Sequence, residues 1–135
     1  MKAIPNIQKY MTYVPKSIGN DQTLEKALEL MQELKIRHLP VLKAGSLVGI
    51  LSDRDVNLVM TFKDVDPKTE TVEEAYSPDP YSVSPNAPLD EVVTEMAEKK
   101  YGCAVVMDNH KLVGIFTEID AFRALADLLH TRLKN

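Results

Sequence analysis

Gly49-Ile50-Leu51-Ser52-Asp53-Arg54-Asp55 decides the fold, because the chain writes it again as Gly114-Ile115-Phe116-Thr117-Glu118-Ile119-Asp120. Gly49/Gly114, Ile50/Ile115, Ser52/Thr117 and Asp55/Asp120 are each separated by 65 positions, so the repeat carries no gap here. Each copy reads as the end of an apolar strand, then a hydroxyl, then an acid three residues on. A repeat of this kind makes the chain one structural unit written twice.

Working outward, the same offset organises the flanks. Ahead of each copy lies an apolar run, a short turn and a second apolar run: His38–Leu42, Lys43–Ser46 and Leu47–Leu51, then Cys103–Met107, Asp108–Lys111 and Leu112–Phe116. Such near-continuous apolar runs predict strands covered on both faces. Pro40 has no N–H for a ladder, which predicts an edge position or a strand start. Upstream, Leu24, Ala27, Leu28, Met31 and Leu34 fall at helical spacing behind a Thr23 N-cap. Leu89, Val92, Val93 and Met96 repeat the stripe, with Pro88 at its start.

Earlier still come short extended pieces at Lys16-Ser17-Ile18 and Tyr81-Ser82-Val83, and helical turns at 7–11 and 72–76. After each motif a helix is predicted, from Asp53 to about Met60 and from Glu118 to about Leu133. The second carries its apolar face on Ala121, Leu125, Leu128 and Leu129. The polar stretch from Thr61 to Thr71 reads as an exposed linker. The fold class is therefore α/β (α+β), with two strand–helix–strand–strand–helix repeats, 1–65 and 66–135, related by pseudo-twofold symmetry. One repeat alone buries too little surface to be stable, so two sharing a core are expected.

Composition narrows the function. The 135 residues carry 44% hydrophobic and 27% charged residues and a net charge of −4, ordinary for a globular domain and unsuited to nucleic acid. A single cysteine, Cys103, excludes an intrachain disulfide. His38, His110 and His130 show no metal-ligand spacing, so no metal is expected. No run approaches the length of a membrane span, and the opening Met1-Lys2-Ala3-Ile4-Pro5-Asn6 lacks the apolar core of a signal peptide. A cytoplasmic location, no catalytic cofactor and no enzymatic activity are expected, since nothing frames a nucleophile.

The quoted residues carry a family resemblance. Thr23-Leu24, Ala27-Leu28, Leu30-Met31, Ile36–Val41 and Leu47–Asp55 resemble a CBS domain, named for cystathionine beta-synthase; Leu112–Ile115 and Thr117-x-x-Asp120 resemble it in the second copy. The resemblance covers almost the whole chain and implies a stand-alone tandem CBS pair. It further implies clefts between the repeats for adenosine-containing ligands, assembly of two pairs into a disc-shaped homodimer, and regulation of a partner protein.

Physical chemistry gives the motif two readings. A hydroxyl at a helix start stands among unpaired N–H groups and favours a phosphate, and an aspartate one turn in can accept from both hydroxyls of a ribose. The other reading is a helix cap, worth about 1 kcal/mol. Capping boxes use Glu or Gln, whose longer side chains reach back, and both copies here have Asp, which favours binding.

Carried over residue by residue, the resemblance implies two clefts. The favoured one holds Thr117 and Asp120, with Tyr81, Tyr101, Gly102 and Cys103 around the base and Arg37 and His38 toward the phosphate. The second holds Ser52 and Asp55 with Lys16, Ile36, Arg37 and His38; its cross-repeat phosphate positions fall on the uncharged Gly102 and Cys103, with Lys16 or Arg54 in compensation. The expected function is sensing of AMP, ADP or ATP as an energy-state signal. The alternative is a ligand-free dimerisation and protein-interaction module.

Overall fold

The computed structural model describes residues 3–13 and 16–132. In chain order these form a 3-10 turn Ile7–Lys9, β1 Thr12–Tyr13, β2 Ile18–Gly19, α1 Leu24–Leu34, β3 His38–Lys43, β4 Ser46–Ser52 and α2 Asp53–Met60. A 3-10 turn Val72–Glu74, β5 Ser77–Pro78, β6 Ser82–Val83, α3 Leu89–Lys99, β7 Cys103–Asp108, β8 Lys111–Thr117 and α4 Glu118–Arg132 follow. The expected end of the last helix, Leu133, lies outside the described residues.

Two compact units result, and they cut the chain elsewhere than at 65/66. Lys16–Pro80 is one; residues 81–132 together with 3–13 make the other. The cause is strand pairing. β5, past the linker, pairs antiparallel with β4, and β1, from the start of the chain, pairs antiparallel with β8. Each unit is thus a four-stranded mixed sheet, in the order β2-β3-β4-β5 or β1-β8-β7-β6, carrying two helices.

The helices form where sequence periodicity requires. Thr23 caps α1 by accepting the Lys26 N–H on its hydroxyl, and Leu24, Ala27 and Met31 bury one stripe. Leu34, at the end of that stripe, is exposed. The linker does more than link: Pro67 and Glu70 carbonyls accept the Glu25 and Leu24 N–H groups, closing off orphan donors at the α1 start. The Pro5 carbonyl does the same for Leu89 at α3, whose Pro88 N-cap offers no side-chain acceptor.

Each unit has its own core. Leu24, Leu39, Val41, Leu51, Val56 and Val72 anchor one; Ile7, Val92, Ala104, Val106, Phe116 and Ala124 anchor the other. Cys103 through Val106 are all buried, so β7 is covered on both faces. α4 departs from expectation. Its inward stripe is Ala121, Ala124 and Leu128, whereas Leu125 and Leu129 join Ile119 and Phe122 on an exposed stripe. Small alanines let the helix lie close to the sheet, which turns the larger leucines outward.

Pro40 also departs from expectation, standing third in the interior strand β3. Its equivalent, Val105, donates its N–H to the Tyr81 carbonyl at 2.8 Å. Pro40 has nothing to donate, and the β2–β3 ladder begins one residue later, with Ile18 opposite Val41. Proline is accommodated because β2 starts one position later in the repeat than its equally short counterpart β6, which pairs Ser82 with Val105.

Candidate functional site

Both hydroxyl–x–x–acid stretches stand where a seven-residue strand hands over to a helix: Ser52 ends β4 before α2, and Thr117 ends β8 before α4. In the Lys16–Pro80 unit, Ser52 Oγ accepts the Asp55 N–H at 3.0 Å and Asp55 Oδ2 accepts the Ser52 N–H at 3.1 Å. In the other unit, Thr117 Oγ1 accepts the Asp120 N–H at 3.5 Å and Asp120 Oδ2 accepts the Thr117 N–H at 3.0 Å. The expectation that aspartate is too short to reach back is therefore wrong. Ser52 has an extended backbone (φ −107°, ψ 160°), which brings its N–H over the first turn and within reach of the shorter acid.

Capping does not exhaust a carboxylate, which has about four acceptor positions. The two acids differ in what remains. Asp55 is half-buried and its Oδ1 accepts no hydrogen bond among the described residues. Asp120 is only 4% exposed. Its Oδ2 lies 3.3 Å from Thr117 Oγ1, and the Thr12 hydroxyl donates across both oxygens at 3.3 and 3.4 Å. Arg123, its side chain 75% exposed, adds a guanidinium nitrogen 3.8 Å from Oδ1.

Around Ser52 and Asp55 the same unit supplies Lys16, Ile36, Arg37 and His38. His38 is paired opposite Ser52, and the Arg37 carbonyl accepts the Asp53 N–H at 3.0 Å, so this backbone stands directly beside the motif. Exposed Lys16 precedes β2, and Pro40 leaves its carbonyl without the donor that Val105 gives Tyr81.

Around Thr117 and Asp120 the other unit supplies Tyr81, Tyr101, Gly102 and Cys103. Cys103 is paired opposite Thr117, and the Tyr81 and Tyr101 rings stack at 5.1 Å and 29°. Burial, then Glu95, pushes the Tyr81 phenol up. Arg37 and His38, assigned above to this set's phosphate, belong to the Lys16–Pro80 unit. Burial, then Glu118, pushes the Cys103 thiol up to about 12, so it is protonated at neutral pH and no nucleophile. Tyr81 also borders a cavity of about 410 Å³ lined by Asp90, Glu91, Thr94 and Glu95, an acidic wall unsuited to phosphate. Among the described residues no three His, Cys, Asp or Glu side chains are gathered as a metal site, and no helix is long and apolar enough to cross a membrane.

Sequence reasoning missed Thr12. The signal was present, because Ser77 stands 65 positions on, a second pair of hydroxyls in the repeat.

The model of the CBS domain matches residues 7–60 and 72–127. The chain belongs to the CBS-domain family. This CBS pair is 34% identical over 111 residues to Hypoxic response protein 1 of Mycobacterium tuberculosis, covering 82% of this chain and 78% of that one. It is 30% identical to the CBS domain-containing protein YhcV of Bacillus subtilis, over 96% of this chain and 87% of the relative. Among solved structures, the AcuB protein of Vibrio cholerae superposes with a TM-score of 0.88 at 30% identity, over 98% of both chains. CBSX2, solved in complex with AMP, gives 0.77 at 26% identity over 91% of this chain and 97% of that one.

Proposed function

We propose that this CBS pair is a regulatory module that binds an adenine nucleotide, AMP, ADP or ATP, and has no catalytic activity of its own. The observation that carries the reading is the pair of hydroxyl–x–x–Asp motifs at strand-to-helix junctions. In the Ser52 copy the acid retains an open oxygen beside backbone carbonyls. A ribose diol would donate to Asp55, a phosphate would take the Arg54 N–H, since the Asp53 and Asp55 N–H groups already donate to Arg37 and Ser52, and the Arg54 or Lys16 side chain would balance its charge. The AMP bound by CBSX2 supports the same class of ligand. A cytoplasmic protein with access to the nucleotide pool fits this role.

Assembly as a homodimer is part of the proposal. Ile119, Phe122, Leu125 and Leu129 leave an apolar stripe exposed along α4, which a second copy of this chain would cover.

Titration calorimetry tests the nucleotide reading. AMP is expected to bind in the micromolar range, and 2′-deoxyadenosine monophosphate roughly 10- to 100-fold more weakly, having lost one charge-assisted hydrogen bond. No heat and no rise in melting temperature with any adenine nucleotide at millimolar concentration would leave the interaction module without a ligand.

A further inference from the structure

We infer that Thr12 sets how many nucleotides the chain takes, by holding the Asp120 carboxylate closed while Asp55 stays open. This rests on the nucleotide reading above and extends it to the inequality of the two motifs.

The two units provide an internal control. Thr12 and Ser77 occupy equivalent places: Thr12 pairs with Ile115 on one edge strand and Ser77 with Ile50 on the other. Both carry a hydroxyl beside a strand that ends in the motif. Only one uses it on the acid. Thr12 Oγ1 lies 3.3 and 3.4 Å from the two oxygens of Asp120, whereas no hydrogen bond joins Ser77 to Asp55.

Counting acceptor positions gives the consequence. Asp120 receives the Thr117 N–H and hydroxyl on Oδ2, the Thr12 hydroxyl across both oxygens, and Arg123 near Oδ1. A diol brings two donors and needs two positions on one face of the carboxylate. At Asp55 they are available, since only the Ser52 N–H is taken. At Asp120 the ribose must first displace Thr12, whose strand pairs through two residues, Thr12 and Tyr13. Met11, immediately before that strand, is buried in the core, so the displacement has a cost that the Asp55 site does not share.

The test is calorimetric stoichiometry with AMP on the full chain. Wild type is expected to bind one AMP per chain, and Thr12→Val, which keeps the β-branched shape of an exposed edge residue, two. Thr12→Ser retains the hydroxyl and should bind one, as should Ser77→Val. Asp55→Ala should abolish binding in the wild-type background but leave one AMP bound in Thr12→Val. Wild-type binding with an unchanged stoichiometry in Thr12→Val would overturn the role of Thr12 alone. So would Thr12→Ser behaving as Thr12→Val, or Asp55→Ala binding as well as wild type. Absence of AMP binding in both wild type and Thr12→Val would overturn the nucleotide reading itself, and this inference with it.

Discussion

Gly49 lies so close to Ser77 that a Cβ placed on it would collide with the Ser77 carbonyl oxygen and the Tyr76 ring. The glycine exists because β5 closes over β4 at that point, opposite Pro78. Backbone cannot swing aside. Gly49→Ala is therefore expected to destabilise the fold by about 1–3 kcal/mol, the usual range for overpacking, measured by urea denaturation. Gly114→Ala should cost less, because its nearest obstacle is the flexible Met11 thioether, 2.6 Å away, ahead of the Thr12 carbonyl at 3.0 Å. Equal costs at the two glycines would contradict this account of the edge strands.

The β7–β8 turn places Asn109 at φ 50° and His110 at φ 65°, a left-handed pair that suits asparagine at the first position and glycine better than histidine at the second. Its equivalent uses Ala44 and Gly45. His110→Gly should raise the melting temperature, by a stability of about 1 kcal/mol. A fall on thermal denaturation would show that His110 does something besides turn the chain.

Cys103 is buried, and its thiol is pushed up to about 12 from 9.0. The folded state thus prefers the neutral thiol. Its contribution is fully present below pH 9.0 and is lost as pH rises toward about 12. Stability should fall across that alkaline window and fall less in Cys103→Ala. Native protein at pH 8 should resist iodoacetamide until urea unfolds it; rapid alkylation without denaturant would refute the burial argument.

Phe122 is 64% exposed in the middle of the apolar stripe on α4. Phe122→Glu should leave the circular dichroism spectrum unchanged while shifting the light-scattering mass from dimer to monomer. A wild-type mass equal to that of one chain would rule out the homodimer at the concentration used.

Much of this was legible because the repeat makes each half a check on the other. Thr23, the stripe from Leu24 to Met31 and the runs on either side of Gly49 behave as their periodicity requires. What escaped was set by distant contacts. Pro40 sits inside a sheet because β2 starts its pairing at Val41, past the proline, and no spacing near Pro40 encodes that. Leu125 and Leu129 face outward because Ala121 and Ala124 seat the helix. The inequality of Asp55 and Asp120 is created by Thr12, 108 residues away in sequence, so inspecting the motif alone treats the two acids as twins.

The exchange of edge strands has a consequence for synthesis. Lys16–Pro80 is continuous and can close once it has left the ribosome. The other unit must wait, since residues 3–13 are made before Lys16–Pro80 and their sheet neighbour β8 after it. Ile7 and Met11 therefore remain uncovered until β8 has been made, and that interval is when these residues are most exposed to aggregation.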